Sequence, residues 1–374
     1  MNIELCLHQR QLTLQRYPIR NNETLQAWDS ADEYLINTLQ SQTLDEHASM
    51  LLFNDGFGAL ANWFAPLLQI TSVSDSWIAQ QACLHNLATN SLAGVSLLSS
   101  LDEQPVAPRW VLLKVPKNSR LLAWQLHQIC RIAGPDTQVI AAGKVKEIHT
   151  STLQLFEKYL GPTHTSLAVK KSRLIYCQPN KQLQVNMPTL RTWDVPEYQL
   201  TLTNHANVFS GESLDIGGRF LLAHIPVEPQ LKHIIDLGCG NGVIGIQAAK
   251  LNPQAKVTCV DESYMAVASC QLNAKANLSD PKQLQAKVNN CLDNEPADSA
   301  DLVLCNPPFH QQNAITDHIA WQMFTDSKRT LHAQGRIIVI GNRQLGYGEK
   351  LKRIFGNCQT LAKNNKFTIY QAVK

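Results

Sequence analysis

The sequence predicts an α/β protein of two tandem domains that share one fold through internal duplication, with the N-terminal copy degenerate. Three observations predict it. An apolar run enters a glycine turn and then a helix-compatible stretch at Ile234–Gly245; a second apolar run, Lys256–Val260, ends at Asp261; and the first half repeats both features in order with altered polar residues. The 374 residues suffice for two ordinary domains.

Ile234–Gly245 reads Ile-Ile-Asp-Leu-Gly-Cys-Gly-Asn-Gly-Val-Ile-Gly, and Val243–Leu251 can continue as a helix. Glycines let the backbone approach a ligand, and a helix start offers unpaired N–H groups and a positive dipole end. Asp261, at the second strand end, suits hydrogen bonds to a ribose diol. Gly240, Gly242 and Gly245 alone satisfy the dinucleotide G-x-G-x-x-G pattern, so a dinucleotide site and a purely structural turn stand beside a methyl-donor site. Asp236 favours the last, because a carboxylate there faces a cation or ammonium and not a pyrophosphate. The D-x-G-x-G-x-G run with an acid-ended second strand resembles the S-adenosylmethionine site of Rossmann-like methyltransferases. Cofactor contacts are therefore expected from Asp236, Gly238, Gly240, Gly242 and Asp261. Asn290, after a strand-like stretch at Gln285–Asn289, is added by position alone, where adenine would lie.

The next strand, Asp301–Cys305, runs into Asn306-Pro307-Pro308-Phe309-His310. Two prolines fix the backbone and remove two donors. The Asn306 side-chain oxygen and the Pro307 carbonyl can accept both hydrogens of a planar amine, and Phe309 offers a stacking face. A Pro-Pro turn closing a strand is the simpler account of the tetrapeptide in isolation. About seventy residues after a methyl-donor turn it marks methylation of a planar nitrogen, and Asn306, Pro307, Pro308 and Phe309 become the candidate catalytic residues.

Apolar residues make up 44% of the chain and charged ones 17%, with net charge +3, which describes a globular protein and excludes a disordered one. No run approaches a membrane span, and Met1-Asn-Ile-Glu-Leu5 lacks the organisation of an export signal. Ten cysteines without Cys-x-x-Cys or Cys/His spacing argue for a reducing, cytoplasmic setting, with neither metal nor disulfides. The charge is uneven. Residues 101–180 carry eleven Lys/Arg against five Asp/Glu, and 343–374 seven against one, which suits a polyanionic partner as well as ordinary solvated helix faces.

In the first half, Leu51–Leu60 parallels the glycine turn, with Gly56 and Gly58 set against Gly238 and Gly240, Asn54 against Asp236 and Leu60 against Gly242. Ser72–Ala79 parallels Cys259–Ala266, so Ser74 replaces Asp261; Trp110–Lys117 parallels Leu302–Phe309, so Lys114-Val-Pro-Lys117 replaces Asn-Pro-Pro-Phe. The copy reads as a recognition module whose old site edge is basic. Lys114, Lys117, Lys144 and Lys146 are its candidate RNA contacts, against the alternative that the half only stabilises its neighbour. The expected division is 1–180, a connecting segment 181–206, and a catalytic domain 207–374. Within it Asn207–Leu222 is read as a lid over the donor, or as a helix capped by Ser213 or Asp215.

Together, Asp236–Gly242, Val260–Ser263, Asn306–His310, the Val-Phe-Ser…Leu-Asp-Ile-Gly lead-in and the duplicated first half resemble the bacterial ribosomal RNA guanine-N2 methyltransferases over essentially the whole chain. The large-subunit (23S) branch is favoured; the small-subunit (16S) branch shares the plan. The resemblance implies S-adenosyl-L-methionine as donor and the exocyclic amine of an rRNA guanine as acceptor; a monomer is expected. A protein glutamine methyltransferase and a catalytically dead RNA-binding protein are the alternatives. The first has little use for a lysine-bearing second half, and the second conflicts with the retained motifs.

Overall fold

The computed structural model describes residues 2–308 and 314–374. The chain divides into two compact units, Met1–Thr189 and Leu190–Lys374. Among the described residues no helix is long and apolar enough to cross a membrane.

In the first unit, a hairpin of β1 (Glu4–Leu7) and β2 (Arg10–Thr13) precedes a seven-stranded sheet. Its members are β3 (Ser49–Phe53), β4 (Gln69–Ser74), β5 (Val95–Ser99), β6 (Trp110–Lys114), β7 (Gln138–Lys144), β8 (Thr163–Thr165) and β9 (Ser172–Cys177), in the order 5-4-3-6-7-9-8. The helices are α1 (Ser30–Gln40), α2 (Ala59–Phe64), α3 (Trp77–Thr89), α4 (Ser119–Ile132) and α5 (Thr150–Tyr159).

The second unit opens with a hairpin of β10 (Arg191–Val195) and β11 (Leu200–Asn204), so the end of the expected connecting segment is folded structure. Its sheet comprises β12 (His233–Leu237), β13 (Lys256–Asp261), β14 (Leu284–Val288), β15 (Ala300–Cys305), β16 (Leu331–Asn342), β17 (Gln359–Lys363) and β18 (Phe367–Val373), in the order 14-13-12-15-16-18-17. Its helices are α6 (Ile216–Leu222), α7 (Val243–Leu251), α8 (Tyr264–Asn277), α9 (Ala314–Thr330) and α10 (Tyr347–Phe355). The two orders are the same, with five parallel strands and an antiparallel pair at one edge. The central strands Met50–Phe53, Ile234–Leu237 and Leu302–Cys305 are buried along their length, as parallel strands covered on both faces must be.

Strand registers give the residue-by-residue correspondence. Met50 pairs with Trp110 as Ile234 pairs with Leu302, and Gly58 and Gly242 are the N-caps of α2 and α7, both left-handed with φ 78° and 84°. Gly56 and Gly58 therefore stand where Gly240 and Gly242 stand, two residues from the alignment drawn on sequence. Leu52 replaces Asp236, Asn54 replaces Gly238 and Asp55 replaces Cys239. The slip arose because Asn54-Asp55-Gly56 mimics Asp236-Leu237-Gly238, while strand length and not residue type sets the register. The other correspondences agree with the pairing. Ser76 and Ser263 cap α3 and α8 through the N–H groups of Ala79 and Ala266, and Lys114 aligns with Asn306.

At Lys114 the structure corrects the expected RNA contact. Its ammonium lies 2.9 Å from Asp29 and 2.6 Å from Asp32, with only 16% of the side chain exposed. Burial works against the charge, but the two carboxylates raise its pKa above the ordinary lysine value. The carboxylates belong to the start of α1. Asp29 accepts from the N–H groups of Ala31 and Asp32, and Asp32 accepts from the Asp29 N–H at 2.9 Å. The lysine is an internal cation that ties α1 to the end of β6, with no charge left to offer a phosphate.

Removing one partner of such a cluster strands the other charges in a poor solvent for them. Lys114→Met should therefore lower the unfolding free energy by about 3 kcal/mol. Adding Asp29→Asn and Asp32→Asn should recover most of that loss, measured by urea denaturation of the natural chain and the three variants of the cycle. An unchanged midpoint in Lys114→Met would show that the ion cluster contributes nothing net.

Candidate functional site

The site is built at the C-terminal ends of β13, β12 and β15, which lie side by side at the point where the strand order turns back, the usual place for a ligand in an open α/β sheet. Leu237 leads into a turn whose three glycines all have positive φ: Gly238 at 76°, Gly240 at 53° and Gly242 at 84°. The Gly238 and Cys239 N–H groups donate to the Val260 carbonyl, which fastens the turn to β13. A side chain on Gly242 would meet the Cys270 sulfur at 2.4 Å, so this glycine lets α7 lie against α8. Gly240 has no atom within 4 Å of where a Cβ would stand. The face of Gly240 that a Cβ would cover therefore borders open space.

The two acids do different work. Asp261 accepts from Gly240 N–H at 2.9 Å and from Ser263 N–H at 3.0 Å, and its carboxylate remains half-buried at the strand end beside the turn. Asp236 is 2% exposed and accepts from Gly245 N–H at 2.8 Å. It does not face an open site, as its place before the turn had indicated; it lies under the turn and holds the first residues of α7. Burial pushes its carboxyl up to about 8, with Cys270 and Asp261 adding to the shift and the Gly245 N–H opposing it. In the first unit Asp55 performs this task from three positions later, accepting from Leu60 and Ala61 N–H.

Asn306 follows β15, and its carbonyl lies 3.9 Å from where a Cβ on Gly238 would stand, so β15 delivers it to the turn. Its side-chain Oδ1 is buried and has no hydrogen-bond partner among the described residues. An unpaired buried acceptor costs stability and marks a place where a donor belongs. Pro307 is buried and Pro308 exposed; Phe309 lies outside the described residues. The first unit fills the corresponding space. The Asn54 amide donates to the Lys114 carbonyl and to Gln125 Oε1, both at 2.9 Å.

Asn290 does not present its amide to a ligand. It is 2% exposed, and its Nδ2 donates to Asp293 at 2.8 Å, closing the turn after β14. The assignment failed because it rested on position, and an asparagine followed by an aspartate three residues on also builds a turn. Asp215 caps α6 by accepting from Gly218 N–H at 2.8 Å. Lys117, Lys144 and Lys146 are exposed at the C-terminal edge of the first sheet, after β6 and β7.

Two features escaped the sequence reading. Asn241 inside the turn donates to Asn204 at 2.9 Å, and Asn273 on α8 donates to the Asn241 and Thr203 carbonyls, so the β10–β11 hairpin is latched to the turn. The matched pairs Asn86/Asn90 and Asn273/Asn277 were the available signal; Asn86 and Asn90 grip Gln15 and Thr13 in the same way. The second is that the fold gathers three cysteines whose spacing shows no metal pattern. The Sγ atoms of Cys239, Cys259 and Cys270 all lie within 4.8 Å of one another.

Comparison with known proteins places this geometry. Residues 2–181 match the RLMG N-terminal domain, and residues 199–371 match the methyltransferase small domain. The chain is 60% identical to the ribosomal RNA large subunit methyltransferase G of Photobacterium profundum over the full length of both. It is 54% identical to the protein of the same name in Vibrio vulnificus, again over the whole of each chain. Among solved structures, a Thermus thermophilus 16S rRNA N2 G1207 methyltransferase in complex with AdoMet and guanosine superposes with a TM-score of 0.78 at 20% identity, covering 99% of this chain and 97% of that one. That likeness establishes the shared fold of both halves.

The buried carboxyl of Asp236 carries a pH signature. Its folded-state pKa of about 8 exceeds the unfolded value of about 3.9, so the folded protein binds the extra proton between them. Its contribution to stability is complete below about pH 4 and is lost as pH rises through about 8, with a slope reaching about 1.4 kcal/mol per pH unit. Urea midpoints of the natural chain should fall across this window, and Asp236→Asn should flatten the fall. Parallel curves for the two proteins would show that Asp236 is ionised throughout.

Proposed function

Because the chain belongs to the ribosomal RNA large subunit methyltransferase G family, we propose that it transfers a methyl group from S-adenosyl-L-methionine to the exocyclic N2 amine of a guanine in 23S rRNA. The observation that carries this reading is the Oδ1 of Asn306 beside the glycine turn, buried and without a partner among the described residues. A guanine amine has two hydrogens and a lone pair delocalised into the ring. With Asn306 Oδ1 and the Pro307 carbonyl accepting the two hydrogens, the lone pair is directed at the methyl group. The donor supplies an already activated sulfonium methyl, so the protein's part is to bind, orient and desolvate.

The residues fit that donor. Gly240 leaves its backbone open, Gly238 and Gly240 offer the close approach a ligand needs, and Asp261 holds its carboxylate at the strand end where a ribose diol can donate to it. Asp236 and Gly242 support the turn from beneath. A guanine within a helix cannot reach the end of β15, so the target is a loop base or one turned out of its stack. Phe309 stacks on it in this reading. Lys117, Lys144 and Lys146 supply phosphate contacts from the first unit, and the enzyme works as a monomer in the cytoplasm, where the rRNA is made.

Asn306→Ala removes one of two acceptors that orient the amine. The methylation rate should fall by about 2–4 kcal/mol of transition-state stabilisation while donor affinity by calorimetry stays close to that of the natural chain. Methylation of 23S rRNA at the normal rate, read by mass mapping of the product, would refute the assignment.

Replacing Lys117, Lys144 and Lys146 together with Ala should weaken RNA binding and reduce its salt slope by up to about three, since each phosphate contact contributes about one. Filter-binding titrations over a range of salt are the measurement, and a slope unmoved by the triple variant would return the first unit to a purely structural role.

A further inference from the structure

Directly beneath the glycine turn the thiols of Cys239, Cys259 and Cys270 converge, each within 4.8 Å of the other two, and all three residues are free and buried. They come from three different elements: Cys239 from the turn, Cys259 from β13 and Cys270 from α8. Three sulfurs around an ion at about 2.3 Å sit about 4 Å apart, so the observed triangle encloses an ion-sized centre with small movements. We propose that Cys239, Cys259 and Cys270 form a trigonal thiolate site for one soft monovalent cation, Cu(I).

Chemistry selects this class. Thiolates prefer soft cations. A structural zinc site needs a fourth ligand, and Asp236 Oδ2, 4.0 Å from Cys259 Sγ, is already committed to Gly245 N–H. Cu(I) is satisfied by three sulfurs in a dry pocket. Each ligating thiol releases its proton to solvent, so Cu(I) held by three thiolates leaves a net charge of −2. At 5% exposure Cys239, in the turn itself, is the most accessible of the three. The first unit keeps one of the three thiols. Cys83 takes the place of Cys270, packed against Gly58, while Ser72 and Asp55 replace Cys259 and Cys239.

The test is an anaerobic titration of the full chain with Cu(I) against a chromophoric Cu(I) chelator. One ion per chain is expected, with affinity rising as pH rises because protons must leave. Cys259→Ser and Cys270→Ala should each weaken binding roughly 100-fold or more, while Cys358→Ser, outside the cluster, should not. X-ray absorption on the natural chain loaded with one equivalent should give three sulfur neighbours and no nitrogen or oxygen, a readout independent of how the variants fold. Binding by both cluster variants equal to that of the natural chain, or a copper environment without three sulfurs, would overturn the proposal and leave the thiols as ordinary small core residues.

Discussion

The second unit depends on a single tight turn in left-handed backbone, the conformation glycine adopts without strain. Gly238, Gly240 and Gly242 occupy left-handed backbone, and Gly242 also lies where a side chain would strike Cys270. A residue with a Cβ at that position would have to displace α8 from α7, because the obstructing atom is a buried sulfur held by its helix. Everything else in the site is arranged around this constraint. The Asp236 carboxyl receives Gly245 N–H below the turn, Asp261 receives Gly240 N–H beside it, and Asn241 and Asn273 latch the preceding hairpin to it. The turn's outer backbone at Gly240 is left uncovered, and that opening is the feature a ligand can use.

The first unit shows what the same scaffold becomes when the site is no longer used. Sheet order, helix caps and the asparagine latch all persist. The interior of the site does not. Asn54 stands in place of Gly238 and binds the Lys114 carbonyl, and Lys114 stands in place of Asn306 with Asp29 and Asp32 closed around it. A buried acceptor waiting for a donor has been exchanged for a set of polar groups that satisfy one another. That exchange makes physical sense: a site that binds nothing gains stability by pairing its own groups.

Much of this was legible in the residues, for reasons that separate the successes from the failures. The strand–turn–helix at Ile234–Gly245, the strand leading to Asn306 and the duplication are local patterns, carried by apolar runs, glycines and prolines that act within a few residues. Residues whose meaning depends on a distant partner were not legible. Lys114 reads as a surface cation until Asp32, 82 positions away, is seen beside it. Asp236 reads as facing an open site until burial places it under the turn, and the cysteine triangle is invisible because its members come from three elements. The two-residue slip has a similar origin, since Asp55 in the turn makes the bonds to the start of the next helix that Asp236 makes from the strand in the second unit.

The ion cluster at Lys114 also makes the loss of the first site a ratchet. Restoring an asparagine at 114 would strand Asp32 in the interior without its cation, and restoring a glycine at 54 would leave Gln125 and the Lys114 carbonyl without the donor they now share. No single reversal is tolerated well, because each lost function is now a support for the fold. Drift can go on remodelling the exposed edge around Lys117 and Lys144, but it has no gradual road back to a second working site.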